Sequence, residues 1–256
     1  MDNSINFEFA IQAGLLMHEN GAETSRVEDT MTRILKSSNV ISADVFVVTT
    51  AIFASATYEN TQPFTIVKNS KIKEINLQRL VLINSVSRNF VEGKIPATEA
   101  LQQLHEIRDL KPYRLRIRLF ASGVACFAFS AMLGSTYLDA FNSFFTGLFV
   151  FLIEYTMTTH LKIQNIFTNL ICGIFIAICS TAIINFGIGQ NLDKIIIGAL
   201  IPLLPGVSFT SSVRDIFQGD LMSGITRMVD AIIVAVSLAS GIGIFLSLWL
   251  SLGGFI

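Results

Sequence analysis

Five apolar segments follow one another through the second half of the chain: Ile117 to Leu138, Ala140 to Thr159, Ile166 to Phe186, Ile195 to Val213 and Ile225 to Leu250. At ~1.5 Å rise per residue each is long enough as a helix to cross a bilayer core. Lipid offers backbone amides no partner, so the segments are predicted to be helical. Composition agrees: 52% of residues are apolar and 14% charged, with mean hydropathy +0.60, whereas about a quarter of an ordinary soluble domain is charged. The expected architecture is an α-helical integral membrane protein with five transmembrane helices over residues 114–256 and an N-terminal α+β soluble domain over residues 1–113. The first expected partner is the lipid bilayer.

The N-terminal half reads as mixed structure. Phe9, Ala13 and Leu16, then Val27, Met31 and Ile34, keep helical spacing across residues 7–38. Asn20-Gly21 between them suits a helix stop, and Thr24 or Ser25 is expected to cap the next helix, with Glu28 near its first turn. Val45 to Thr57 and Phe64 to Val67 are predicted strands of a hairpin or small sheet. The first of these is apolar on both faces, so helices are expected to cover both. Leu82, Val86 and Phe90 mark a third helix ending near Gly93; Leu101, Leu104 and Ile107 mark a fourth begun near Pro96. There is no phosphate loop, dinucleotide fingerprint or nucleic-acid motif, so neither ATP, another cofactor nor nucleic acid is expected. Cys126, Cys172 and Cys179 lie inside apolar runs as small core residues, and no metal spacing joins them to His18, His105 or His160.

Charge placement orients the chain. Of the eighteen Lys and Arg, fourteen lie within residues 1–118, and Lys111, Arg114, Arg116 and Arg118 stand just before the first apolar segment. Basic flanks mark the cytoplasmic side. Ser135 to Asp139 and Gly187 to Asp193 carry no Lys or Arg, Lys162, Arg214 and Arg227 lie on the opposite connections, and Lys194 alone dissents. The start MDNSINFEFA does not resemble a signal peptide. The expected topology in the inner or plasma membrane is N-terminus cytoplasmic and C-terminus outside, with Trp249 and Phe255 as aromatic anchors.

The fourth segment is the unusual one. Pro202 and the pair Pro205-Gly206 interrupt it, so the helix is expected to break and the carbonyls of Ala199 to Ile201 to become available to a ligand, water or another helix. Gly206 is expected to supply backbone freedom or close helix approach there. Arg214, Asp215, Asp220, Arg227 and Asp230 crowd the connection to the last segment, and Glu154 lies inside the second segment toward the same side. Arg227 and Asp230, three apart, are neighbours on one helix face and are expected to share in mutual pairing. These ions read either as transport residues or as a structural network joining helix ends.

Two motifs give the chain a resemblance. One is Gly21-Ala22-Glu23-Thr24 with Arg26-Val27-Glu28; the other is Leu204-Pro205-Gly206 followed by Arg214-Asp215, Gly219-Asp220, Gly224 and Arg227. With the soluble-half-then-spans layout, the chain resembles the threonine/serine exporter (ThrE) family, closest to its short form, the YjjP-type subunit. The resemblance implies an exporter of small, charged or zwitterionic metabolites (threonine, serine, or a dicarboxylate such as succinate) and a second, small membrane subunit that supplies the missing half. It adds Gly21, Glu23, Arg26 and Glu28 as family-motif positions.

The residues suggest a mechanism beside the resemblance. A discontinuous span is a frequent place for substrate and ion sites in secondary transporters. Arg214 or Arg227 is suited to a carboxylate, and Glu154, Asp215, Asp220 or Asp230 to an ammonium group or a proton. Without an ATP motif the expected energy source is an ion gradient or the membrane potential. The alternatives are a membrane-anchored enzyme working through Glu23, Glu28 and His18, and a scaffold or sensor; no serine or cysteine nucleophile stands beside a base.

Overall fold

The structure, a computed structural model, describes residues 2–59, 62–72 and 75–254. Phe255, expected as an aromatic anchor, lies outside the described residues. The chain divides into two compact units: one is Met1–Lys111 with Ser208–Met228, the other Pro112–Val207 with Val229–Ile256.

The first unit opens with α1 (Asp2–Glu19) and α2 (Thr24–Lys36). The helix-period residues Phe9, Ala13, Leu16, Val27, Met31 and Ile34 are all buried in one core. Glu23 is the N-cap of α2, and its side chain makes no capping bond. The hydroxyls of Thr24 and Ser25, expected to cap, point instead to Asp220 and Gln218.

Three strands form an antiparallel sheet in the order β1 (Val40–Val48), β2 (Ala51–Tyr58), β3 (Phe64–Asn69). The stretch Val45 to Thr57 is therefore not one strand: Val48 pairs with Ala51 and the chain turns at Thr49-Thr50. Two threonines carry no glycine or proline signal, so an unbroken β-rich run hid the turn. Val47, Ile52, Ala54, Ala56 and Tyr58 form the buried face. The other face is not covered as expected: Phe46, Phe53 and Val67 are exposed there. Alternation from Ile52 to Tyr58 decides which face is buried and leaves Phe53, Ser55 and Thr57 on the other. α3 (Leu77–Val91) and α4 (Ala97–Arg108) complete the helical layer, and Gly93 stops α3 with φ of 71°.

The second unit holds α5 (Leu115–Met132), α6 (Tyr137–Tyr155) with a π-helical turn (Thr156–His160), α7 (Asn165–Asn185) and α8 (Leu192–Leu200) with a 3-10 turn (Ile201–Leu203). Next come α9 (Gly206–Phe217) and α10 (Leu221–Ser251), each of which has residues in both units. Among the described residues four helices are long and apolar enough to cross a membrane: Leu115–Met132, Tyr137–His160, Asn165–Asn185 and Leu221–Ser251. A fifth span exists if Leu192–Leu203 and Gly206–Phe217, bent by 63°, count as one. The break lies at Leu204, which is extended (φ −68°, ψ 133°) as the residue before a proline prefers to be.

Packing in this unit rests on small residues. α5 and α6 run antiparallel, with ring contacts from Phe120 to Phe144 and Phe127 to Phe141. A Cβ on Gly147 would collide with Cys126, and one on Gly198 would meet Ser130 Cβ at 2.7 Å and Ser143 Oγ at 3.0 Å. α7 and α10 meet through Gly173 and Gly241, whose added Cβ atoms would strike the carbonyls of Leu238 and Leu170. Cys126 and Cys172 are buried and Cys179 is half-buried, all three as free thiols. The carbonyls around α8 turn to neighbouring helices: Ser143 Oγ of α6 donates to Ile195 O at 3.4 Å and Cys126 Sγ of α5 approaches Ala199 O at 4.0 Å, while Leu204 N donates to Ile201 O.

Candidate functional site

Two turns of the first unit face each other. The earlier one ends α1: Asn20 Nδ2 donates to Leu16 O at 2.7 Å, and Gly21 takes φ of +86°, a left-handed conformation that costs glycine little. Ala22 N returns to Met17 O at 3.1 Å, leaving the Ala22 carbonyl free to turn inward. The later turn ends α9: Gly219 has φ of +95°, and Asp220 N bonds Asp215 O at 2.9 Å, a glycine-terminated helix end. Gly224 then lets α10 press against α9, since a Cβ there would lie 2.6 Å from Ile216 Cγ1 and 2.9 Å from Ser212 O.

Four contacts clasp the turns together. Arg227 Nη2 donates to Ala22 O at 2.8 Å, and Arg214 Nη1 pairs with Glu23 Oε1 at 2.6 Å. Thr24 Oγ1 donates to Asp220 Oδ2 at 3.1 Å, and Ser25 Oγ donates to Gln218 Oε1. At the centre, Arg227 Nε lies 3.6 Å from Asp215 Oδ2, with the two side chains only 4% and 0% exposed. Among the described residues Asp215 has no well-aligned hydrogen-bond donor; the neighbouring hydroxyl, that of Thr24, donates to Asp220. A buried carboxylate with a counter-ion but no well-aligned donor is costly to hold, and it has acceptor capacity left for a proton or a cationic group.

Carboxylates outnumber guanidinium groups around this centre: Glu23, Glu28, Asp215 and Asp220 against Arg214 and Arg227. Burial raises the Glu28 carboxyl above its usual range; the amide of Val47, donating at 2.7 Å, works against that, and the charge of Asp220 adds to it. His18 is fully buried in the last turn of α1. Its Nδ1 lies 2.7 Å from Ser70 Oγ, and its Nε2 has no hydrogen-bond partner among the described residues. Burial first, then the charge of Arg227, lowers its pKa to about 4 against a small opposing effect of Glu19, so the imidazole is neutral at pH 7.

The sequence-predicted residues separate into groups. Gly21, Glu23, Arg214, Asp215, Asp220 and Arg227 come together, with Glu28 adjoining. Arg26 is exposed and has no ion pair among the described residues. Pro205, Gly206, Glu154 and Asp230 belong to the second unit. Arg227 does not pair with Asp230, which is exposed; it reaches Asp215 and the Ala22 carbonyl instead. A Cβ on Gly206 would meet no atom within 4 Å, and its φ is not left-handed, so neither close approach nor special backbone freedom explains it. Glu154 is half-buried and feels the charge of Arg118.

Four participants carried no sequence signal of this role. Thr24 and Ser25 read as helix caps, His18 reads as a scattered histidine, and nothing marks Gln218. Asp139 was also missed: fully buried at the start of α6, it accepts from Gln190 N and Asn191 Nδ2, each at 2.8 Å, and from Thr136 Oγ1 at 2.7 Å. It pins the α7–α8 connection to α6, and its donors are some fifty residues away in sequence.

Comparison with known proteins gives a consistent result. A family model described as "Putative threonine/serine exporter" (ThrE) matches residues 8–249. A "Probable threonine/serine exporter" of Mycobacterium tuberculosis is 22% identical over 241 residues, covering 92% of this chain and 44% of that protein. An "Uncharacterized protein" of Schizosaccharomyces pombe is 24% identical over 180 residues, 67% of this chain and 21% of its own length. The chain thus spans less than half the length of these curated relatives. No solved structure matches.

Proposed function

Because the chain belongs to the threonine/serine exporter (ThrE) family, we propose that it is a subunit of a multi-pass membrane exporter of small charged or zwitterionic metabolites, in which Asp215 and Arg227 handle cargo or protons. The observation that carries this is the buried Asp215–Arg227 pair, whose carboxylate has no well-aligned donor among the described residues beyond the neighbouring Thr24 hydroxyl, while its guanidinium also holds the Ala22 carbonyl. A purely structural ion pair gains from having its remaining lone pairs satisfied. Here they are left open, at the point where the two family motifs meet.

On this reading α8 and α9 form one broken span, so five spans cross the bilayer, residues 1–113 and the α9–α10 turn lie in the cytoplasm, and the C-terminus lies outside. The cargo is threonine, serine or a dicarboxylate such as succinate. The energy comes from an ion gradient or the membrane potential, the latter about 2.3 kcal/mol per charge per 100 mV. A second small membrane subunit completes the transporter; the relative from Mycobacterium tuberculosis, more than twice as long as the matched segment, is in keeping with that. Glu154 and Asp230 are proposed as further ionic positions along the pathway, and Pro205 and Gly206 as the break itself. The structure does bring a serine beside a base, Ser70 beside His18, against expectation, but both are buried away from any substrate, and Glu23 and Glu28 are engaged by Arg214 and the Val47 amide, which favours the exporter reading.

The test is release of labelled threonine, serine and succinate from preloaded cells carrying this chain alone or with a candidate small membrane subunit. Accelerated release of at least one cargo, collapsed by an uncoupler, is the expected result. Release no faster than in cells lacking the chain, under both conditions, would overturn the proposal.

A further inference from the structure

We propose that the end of the second unit where α5 and α7 begin is a binding site for the phosphate headgroups of anionic phospholipids. Arg114, Arg116 and Lys162 are exposed there, at the first turn of α5 and in the connection that leads into α7. Packing brings them to one end of the helices. Arg118 lies over the rings of Phe151 and Tyr155, 5.4 and 5.8 Å from their centroids, which holds the start of α5 against the end of α6. The π-helical turn continues α6, carries His160 6.0 Å from the Tyr155 ring, and packs beside α7.

The cations at this end are unequal. Arg118 has Glu154 to answer it. Arg114, Arg116 and Lys162 have no ion pair among the described residues. Backbone donors add to them: α5 and α7 both start without a side-chain cap, at Arg114 and Gln164. Their first intrahelical bonds come from Ile117 N and Phe167 N, so the amides of Leu115, Arg116, Asn165 and Ile166 stand ahead of the helical ladder. Each of these helix starts, with an unpaired cation beside it, suits a phosphate anion.

The source of that phosphate follows from the setting, and here the inference rests on the reading of α5, α6 and α7 as membrane spans. Tyr113, 65% exposed, and Tyr155 sit at the level of the cations, as tyrosines do at a membrane interface. The opposite ends of these helices, by contrast, carry Lys194, whose ammonium already donates to Gly134 O at 2.7 Å. A lipid headgroup is held at the height of Arg114 and Lys162 by the bilayer itself, whereas a free anion is not.

The experiment uses the purified full chain in nanodiscs of phosphatidylcholine alone or of equal parts phosphatidylcholine and phosphatidylglycerol. Lipid retained after gentle release is counted by native mass spectrometry. The parent is expected to retain phosphatidylglycerol preferentially, and Arg114→Gln, Arg116→Gln and Lys162→Gln each to weaken retention about fivefold. Arg116→Lys, which keeps the charge, should retain it, and the melting temperature of every variant in neutral discs should match the parent. Equal retention of the two lipids, or a triple glutamine variant that keeps its phosphatidylglycerol, would overturn the proposal. So would inorganic phosphate in neutral discs raising the melting temperature as much as phosphatidylglycerol does, since that points to a free anion. Failure of the parent to enter any nanodisc would instead remove the membrane reading beneath it, an outcome visible before any lipid is counted.

Discussion

His18 shows how one buried side chain makes the first unit sensitive to acid. In the unfolded chain its imidazole titrates near 6.5; in the fold, burial and Arg227 bring it down to about 4. The folded state therefore holds the neutral form and the unfolded state binds the proton first. Stability from this group is fully present above pH 6.5 and is lost as pH falls from there to 4, by on the order of 3 kcal/mol. Melting temperatures of the full chain in detergent should drop across that window, and His18→Gln should flatten the drop. An equally steep decline in the variant would assign the acid sensitivity to other groups. In the sequence His18 reads as a scattered histidine or as one group of a membrane-anchored enzyme, because what makes it titrate oddly, Ser70 and Arg227, stands 52 and more than 200 residues away.

Elements were more legible than the contacts between them. Helical spacing placed the core of α1 and α2, and proline chemistry placed the break between α8 and α9, because both effects act within a few residues. The hairpin at Thr49-Thr50 was hidden since its turn uses no glycine or proline. The clasp was hidden for another reason: Glu23 and Arg214 are 191 residues apart, and no local rule pairs them. Glycines behaved likewise. Gly206 beside Pro205 looks like the critical one, yet it is Gly224 whose Cβ would meet Ile216 and the Ser212 carbonyl. Gly224→Ala should therefore cost roughly 1–3 kcal/mol by forcing α10 off α9, while Gly206→Ala should leave the unfolding free energy of the purified protein within about 0.5 kcal/mol of the parent. The reverse order of the two variants would contradict the packing described for the α9–α10 turn.

At the scale of the molecule, the division into units cuts across the sequence order: Ser208–Met228 belongs with residues 1–111. A boundary near residue 113 follows from composition alone, because the apolar segments begin there. Composition does not reveal that part of α9 and the start of α10 return to the first unit, because that return depends on the distant partners of Arg214 and Arg227. The proposed topology places residues 1–113 and the α9–α10 turn in the cytoplasm and the tail beyond Trp249 outside. A C-terminal phosphatase fusion should then be active and a C-terminal fluorescent fusion dark; the opposite pattern would rule out five spans.

The central claim is that Asp215 and Arg227 act on cargo or protons and do more than hold two turns together. The most direct measurement is release of labelled threonine, serine and succinate from loaded cells by Asp215→Asn, Arg227→Gln and the double variant, beside the detergent melting temperature of each. Removing one partner of a buried pair costs roughly 3–5 kcal/mol, and removing both relieves the unpaired charge. The account predicts that the double variant regains stability relative to the singles, reaches the membrane, and still fails to export. A double variant that recovers export together with stability would contradict it and leave the pair as a structural tie between the α1–α2 and α9–α10 turns.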